Sequence, residues 1–562
     1  MHLLKHTKSR ESSNAIERMY ITMRHLFNRG FYKPMGISGQ TLRDALLVLK
    51  PEIYGSIAEE KAELDGLVYV LERLPEGIEE CRFINLTAEE GYHNSHFKPL
   101  IPEKRRRNCY RIDRDQMNIV ITRGRSDVYD ILTHLTFLFI ESHKIKHNAI
   151  IDEEGKAIRE WESLEEVVLN NKKLSHNEKE IVITHVANIL GRTFSEVKDI
   201  TNKFDREGRE NRFFSTIYWM GKLAINETFF NKKRTIIFSS TLRERIGHHI
   251  YGEKWAEKIK TILFEKGIFN RPLHIISANM HSVMNRIYGP IVLQEEYKKH
   301  KKTGLFEKLS KKENNALQSK IKNAAANQGL TYVKDTSGTN INVQIIDTAH
   351  IDRNKLDFLK NANTQKNTKE PVLIVMDYAF GEQAFETMDE LLKPYICPKG
   401  KTHFMPVVSV SVMGKAGILK GKKGDIMIPT AHIYEGTADN YPFKNELNKV
   451  DFEDSGIDAY EGTMVTVLGT SLQNRDLLEF FHNSTWRAIG LEMEGAHYQK
   501  AIQSASQIRG NISKDVKVRY AYYASDNPLE TGGTLASGGL GTTGVKPTYT
   551  ITEKILEQIF NQ

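Results

Sequence analysis

After Arg271 the chain breaks into apolar runs too short for a helix of ordinary length. "RPLHIISANMHSVMN" contains the first, Leu273 to Ile276, and "INVQIID", "PVLIVMD", "FMPVVSVSVMG", "GDIMIPTAHI", "GTMVTVLGT" and "VRYAYYASD" follow. Each is rich in Val, Ile, Met or Tyr and is bounded by Gly, Pro, Asp or Ser, the signature of buried strands. Helical spacing follows several of them, in "EQAFETMDELLKP", "SLQNRDLLEFFHN" and "GAHYQKAIQSASQI". Strands alternating with helices bury their apolar faces as stacked layers around a parallel core. Residues 271–562 are therefore expected to form an α/β domain with a largely parallel core sheet. A Lys-rich stretch at about 295–330 reads as an exposed helical insertion, a solvated face.

Residues 1–270 read differently, as a mostly α-helical domain. "SIAEEKAELDGLVYVLERLP" opens with Ser56 and Glu59 in capping-box spacing and stops at Pro75. "SLEEVVLNNKKL" repeats the device with Ser163 and Glu166, and "NEKEIVITHVANILG" ends on Gly191, a residue suited to a helix C-cap. With 562 residues the chain exceeds one ordinary core, and its length suggests two to four domains. No function is legible in the first.

Composition narrows the classes of partner. A net charge of +8 over this length favours anionic ligands but is too dispersed for nucleic-acid binding, and the one basic stretch, "EKRRRNCYRIDR", carries a single tyrosine. Cys81, Cys109 and Cys397 lie far apart without CxxC spacing, which argues against a disulfide framework or zinc knuckle and fits a reducing compartment. The histidines of "GHHIYGEKW" lack the order of a zinc motif. The first residues, "MHLLKHTKSRESS", have no sustained apolar region, and the most apolar window, Ile131 to Ile140, is about half a membrane span. A soluble, cytoplasmic protein is expected, with no membrane partner.

In an open α/β sheet, ligands sit at the carboxyl ends of the strands. Reading those ends alone leaves a short set. Gly381 follows "PVLIVMD", and Gly414, Lys415, Ala416 and Gly417 follow "VVSVSV". Glu492, Met493 and Glu494 follow "TWRAIGL", and Ser525 and Asp526 follow "VRYAYYA".

These pieces, in this order, resemble the purine nucleoside phosphorylase and nucleosidase superfamily, and within it the AMP nucleosidases. "MGKAGILKGKKGDIMIPTAHI" is similar to the family's glycine turn with a Gly-Asp and an apolar strand beyond it. "GLEMEGAHY" matches its ribose-binding Glu-Met-Glu, and "YASDNPL" is similar to its Ser-Asp catalytic loop, the Pro-Leu pointing to AMP nucleosidases. The resemblance covers 271–562 and implies a three-layer α/β fold with a largely parallel mixed sheet. It also implies a purine nucleoside or nucleotide as substrate and association into a homo-oligomer.

Cleaving a purine N-glycosidic bond develops positive charge on the ribose and negative charge on the base. A carboxylic acid at the purine N7 assists the departing base, the role assigned to Asp526 beside Ser525. The ordinary use of an Asp before Asn-Pro is an Asx-turn or helix cap. Glu494 would accept the 2′ and 3′ hydroxyls, with Met493 as the apolar floor under the ring. The alternative is a helix-start carboxylate above a core methionine. Glu492 either braces the site or faces solvent. Gly414 and Gly417, flanking Ala416, would let the backbone approach an anion. Lys415, where many relatives have Ser or Thr, would neutralise a 5′-phosphate or bound orthophosphate, or else point outward.

Two departures from the family stand out. Where nucleosidases carry a water-activating glutamate after the first strand, this chain has Asn279 and His281, either of which could hold a water. The phosphorylase loop with Gly-x-Pro and an arginine is missing. The expected activity is hydrolysis, with no metal or cofactor demanded. Phosphate-dependent phosphorolysis and a non-catalytic nucleotide-sensing module are the alternatives. The glycine- and threonine-rich "ETGGTLASGGLGTTG" reads as a flap beside Asp526 or as a connector to a last helix.

Overall fold

Alternating burial along the apolar runs builds the second half of the molecule. In the computed structural model, which describes residues 2–105, 107–205, 211–359, 370–437, 439–530 and 541–561, strand β1 (Leu273–Ser277) is followed by β2 (Leu330–Val333), β3 (Val343–Asp347) and β4 (Val372–Met376). Then come β5 (Val407–Ile418), β6 (Ile426–Tyr434), β7 (Asn440–Pro442), β8 (Ala459–Thr466), β9 (Gly490–Glu492) and β10 (Lys517–Asp526). All ten form one sheet. Its centre is parallel, with β5 between β1 and β10 and β4 beyond β1. The β2–β3–β4 edge is antiparallel.

Side chains alternate across this sheet with period two. Leu273, Ile275, Val372, Ile374, Tyr520 and Tyr522 enter one apolar cluster. Ile276, Leu373, Val375, Met413, Ala521 and Tyr523 enter the other. Helices α1 (Ile250–Glu265), α5 (Gln383–Leu391) and α7 (Gly495–Gln503) supply the first cluster. Helices α2 (Met280–Val292), α3 (Gln294–Ser310), α4 (Asn315–Ala326) and α8 (Val545–Phe560) supply the second. Helix α6 (Arg475–Asn483) adds Leu478 to a third, smaller cluster. This is the three-layer α/β arrangement, with mixed rather than uniformly parallel pairing.

At one end the sheet curls shut. β5 pairs with β10, β10 with β6, β6 with β8, β8 with β9, and β9 with β5 again. Ring closure removes free edges there and gathers the ends of five strands.

The Lys-rich stretch is helical in α3 and α4 but not simply a solvated face, since Leu305, Phe306, Leu309, Ile321 and Ala325 are buried in the second cluster. Of the glycine-rich segment near the C-terminus, 531–540 lies outside the described residues, as does Arg106 of the basic stretch. Gly541–Gly544 forms a short turn leading into α8.

The chain divides into two compact units, Met1–Thr122, Asp127–Gly247 and Ser471–Asn474 in one, Arg123–Ser126, His248–Thr470 and Arg475–Gln562 in the other. The second unit starts ahead of Arg271 because Trp255, Ile259 and Leu263 of α1 join the core of its sheet.

The first unit is mostly helical, with helices such as Ile37–Leu49, Arg159–Leu169, His176–Leu190, Phe194–Phe204 and Arg212–Phe229. It also holds a five-stranded sheet that the sequence reading did not anticipate. The order is Phe31–Tyr32, Thr235–Phe238, Phe83–Thr87, Gln116–Val120, Cys109–Arg111. These runs have two to five residues, too few for their period to be told from that of a helix.

Gly191 is a left-handed C-cap, as its position implied. The two expected capping boxes do not form. The first helix starts at Leu64 with Glu63 as N-cap, and the second starts at Arg159, before Ser163. Complete boxes occur instead at Ser175/Glu178 and Thr193/Glu196. The three cysteines are free and buried. Among the described residues no helix is long and apolar enough to cross a membrane.

Candidate active site

Gly417 of β5 is the hub of the second unit's strand-end cluster. On one side it pairs with Asp526 of β10, and on the other with Leu491 of β9. Adjacent strands lie about 4.8 Å apart, so Asp526 and the Glu492–Glu494 segment flank one strand end. The register shifts between Ala416 and Gly417, a bulge that lets Asp526 rather than Ser525 meet Gly417. This corrects the expected glycine turn. Gly414 to Gly417 belong to a 12-residue strand, and their backbone groups take part in ladders with β9 and β10 instead of forming an open anion nest.

At both acidic positions a neighbour performs the routine structural task. Oε2 of Glu492 accepts the backbone N–H groups of Glu494 and Gly495, and Oε1 accepts the Thr466 hydroxyl. Glu492 is 5% exposed, so it neither faces solvent nor presents a free oxygen to a ligand. It braces the start of α7, a correction to its expected place among substrate-binding residues. Glu494, two residues further on at the N-cap position, makes no side-chain cap. Its Oε1 accepts the Gly381 N–H at 2.9 Å, from a loop 113 residues earlier in the chain.

The same division of labour holds at the end of β10. Oδ1 of Asn527 accepts the Leu529 N–H at 3.0 Å, and its Nδ2 donates to the Gly421 carbonyl at 2.9 Å. The Asx-turn role thus falls to Asn527. Asp526 receives the Ser525 hydroxyl on Oδ1, while Oδ2 is buried without a hydrogen-bond partner. Ser525 also reaches the Ala416 carbonyl at 3.1 Å, tying the Ser-Asp pair to β5.

Electrostatics link the two acids. Burial, then repulsion from Glu492, raises Glu494 to about 8, opposed by the N–H groups of Gly381 and Met493 and by the Lys415 ammonium. Burial raises Asp526 from its ordinary value, opposed by Ser525, Lys415 and Lys423. Glu492 is itself raised to about 7, chiefly by burial. Lys415 is exposed, yet its charge acts on both Glu494 and Asp526. Lys415 thus acts on two carboxyls that burial shifts toward the neutral form.

The remaining expected residues fall as follows. Met493 is half-buried and packs against the small apolar cluster that holds Leu419, Val465 and Leu491. Asn279 is the N-cap of α2, its Oδ1 accepting the His281 N–H at 2.9 Å, so that oxygen is engaged by the helix start. The His281 imidazole is exposed and has no hydrogen bond among the described residues. The sequence reading missed Tyr378. Its hydroxyl meets Tyr523 and the backbone N–H of Asn279. Its ring, 41% exposed, lies 3.8 Å from where a Gly414 Cβ would be. A tyrosine two residues past a strand was the available signal.

Gly381 has φ +55, and a Cβ there would meet Ser126 Oγ at 2.3 Å, which explains a glycine whose N–H reaches Glu494. For a metal, His249, Asp389 and Glu390 offer ligand atoms within 4.8 Å of one another. Arg509 already pairs with Asp389 and Lys393 with Glu390, so the carboxylates there are neutralised.

The fold is that of an α/β protein with this acidic cluster at the strand ends of its sheet. The chain belongs to the family described as "Family of unknown function (DUF6909)", whose model matches residues 40–315 and 304–561. No curated protein matches it. Similar solved structures include a futalosine hydrolase mutant of Helicobacter pylori, 14% identical, covering 52% of this chain and 100% of that chain at a TM-score of 0.31. The 5′-methylthioadenosine/S-adenosyl homocysteine nucleosidase of Campylobacter jejuni is 11% identical, over 52% of this chain and 99% of its own, at 0.29. A putative methylthioadenosine nucleosidase from Weissella paramesenteroides is 14% identical, over 51% and 98%, at 0.30.

Proposed function

We propose that the second unit hydrolyses the N-glycosidic bond of a purine nucleotide, with AMP as the first candidate, and releases the free base. The observation that carries this reading is the pair of acids, Glu494 and Asp526, freed from capping duty and sharing the field of Lys415.

In this mechanism the C1′–N9 bond breaks with its electron pair moving to the purine. Asp526, whose carboxyl burial shifts toward the protonated form, delivers a proton to N7 and so discharges the leaving base. Glu494 holds the 2′ and 3′ hydroxyls, bonds that strengthen as the ribose becomes cationic. Water adds to C1′ and its proton passes to the Asp526 carboxylate by way of solvent, restoring the acid. Lys415 binds the 5′-phosphate, and Tyr378 walls the side of the cleft over Gly414.

The test is product analysis with AMP, adenosine, inosine and methylthioadenosine, each with and without phosphate. Adenine plus ribose 5-phosphate from AMP, independent of added phosphate, is the expected result. Product formed only with phosphate replaces hydrolysis by phosphorolysis. Binding without turnover, unchanged in Asp526→Asn, replaces the enzyme by a nucleotide-sensing module.

A further inference from the structure

The opposite end of the same three parallel strands carries a polar cluster that the proposed reaction does not use. Register aligns His274 of β1 with Ser409 of β5, and Ser411 of β5 with Arg519 of β10. Two residues further along, Ile276, Met413 and Ala521 lie in the apolar cluster beneath α8, so period two sends these four side chains to that same face. Arg519 precedes Asp526 by seven positions, about 20 Å along a strand.

Arg519 is 0% exposed. Its Nε donates to Gln558 Oε1 at 2.7 Å, and Gln558 is fixed in turn by donating to the Glu446 carbonyl at 3.0 Å. Nη1 and Nη2 have no hydrogen-bond partner, nor has the hydroxyl of Ser411, which is also 0% exposed. Among the described residues no carboxylate lies within ion-pair distance of this guanidinium.

The charged groups near it are Lys517, Glu446 and His274. Burial, then the charges of Arg519 and Lys517, lowers His274 to about 3, so its ring is neutral beside Ser409 Oγ at 2.7 Å. Burial lowers Arg519 to about 10, opposed by Glu446, and it stays cationic at neutral pH. Glu446 Oε1 lies 3.7 Å from Lys444. A buried cation with two idle donors is costly in a low-dielectric interior, and native proteins meet such groups with water or an ion.

We infer that the second unit binds a small monovalent inorganic anion, of the halide class, between the Arg519 guanidinium and the Ser411 hydroxyl. One negative charge balances the one unpaired cation, whereas a dianion would leave excess charge beside Glu446 and a neutral imidazole. Bound there, the anion ties the amino ends of β5 and β10 together beneath α8.

Bromide is the probe. The full-length protein, exchanged into gluconate, is melted with increasing bromide at constant ionic strength, and crystals grown in bromide are measured for anomalous scattering. The expected outcome is a saturable rise in Tm of about 2–4 °C and an anomalous peak in contact with Arg519 Nη1, Nη2 and Ser411 Oγ. Arg519→Met abolishes the rise. Should that variant fail to fold, Ser411→Ala serves instead, raising half-saturating bromide about tenfold, the equivalent of one lost hydrogen bond to a charged group. Equal melting in gluconate and bromide, with water density at the Nη atoms, overturns the proposal. So does a rise that survives unchanged in the variants.

Discussion

Two sets of buried carboxylates, one in each unit, are treated in opposite ways. In the first, Glu227 and Asp130 are each matched to a guanidinium. Burial works to raise Glu227, but Arg234, bonding it through Nε and Nη2 at 2.9 and 2.7 Å, helps hold it at about 2. Burial likewise opposes the ionisation of Asp130, yet His134, Arg105 and Arg107 keep it well below the usual range. In the second unit, Glu492, Glu494 and Asp526 all shift upward, and the cations that act on the latter two are lysines. Matched pairs fix a fold because removing one partner strands the other. Unmatched acids weaken the fold but leave a proton and acceptor oxygens available for a ligand.

The largest expected effect tests the unmatched side. Asp526→Asn keeps the Ser525 contact and volume but removes the proton donor. Base release from AMP should fall about 10²–10⁴-fold with an unchanged melting profile. A large loss of Tm would instead make Asp526 a structural residue.

Next in size is the matched side. Arg234→Met strands Glu227 in the core and should cost about 3–5 kcal/mol by urea denaturation. Adding Glu227→Leu should recover most of that loss, since an apolar pair replaces an ionic one. If the single variant is as stable as the parent, the contrast between the units fails.

pH separates the two designs further. Glu494 has a folded pKa raised to about 8 from an ordinary 4.5, so the folded state holds its proton more tightly than the unfolded chain. Its contribution to stability is full below about 4.5 and is lost as pH rises toward 8. Glu227, lowered to about 2, behaves inversely, contributing above 4.5 and losing that contribution as pH falls toward 2. Melting from pH 4.5 to 8 should therefore show a smaller decline in Glu494→Gln than in the parent. Equal slopes would mean that Glu494 ionises freely in the fold.

The smallest effect concerns Lys415. Lys415→Met removes one exposed charge, and kcat/KM for AMP should drop about tenfold while that for adenosine changes less than threefold, a difference on the order of 1 kcal/mol. Equal losses on both substrates would assign Lys415 to the carboxyls rather than to a phosphate.

Much of this organisation was legible without coordinates. Short Val/Ile/Met runs alternating with helical spacing dictate a layered α/β unit, because a two-residue period buries both faces of a central strand only when helices cover it. Acids and glycines at the ends of those runs marked Glu494, Asp526 and the β5 terminus. What one-dimensional reading could not assign was which of two neighbouring groups would be free. Glu492 rather than Glu494 caps α7, and Asn527 rather than Asp526 closes the turn after β10.

The supposed glycine turn proved to be strand, and Gly381 and Tyr378 reach Glu494 and Gly414 from a separate loop. Each of these outcomes depends on register between segments far apart in the chain. Local sequence sets a residue's period and its options for hydrogen bonding. Only the packed sheet decides which of those bonds neighbours from distant positions have already filled, and therefore which polar atoms remain for a ligand.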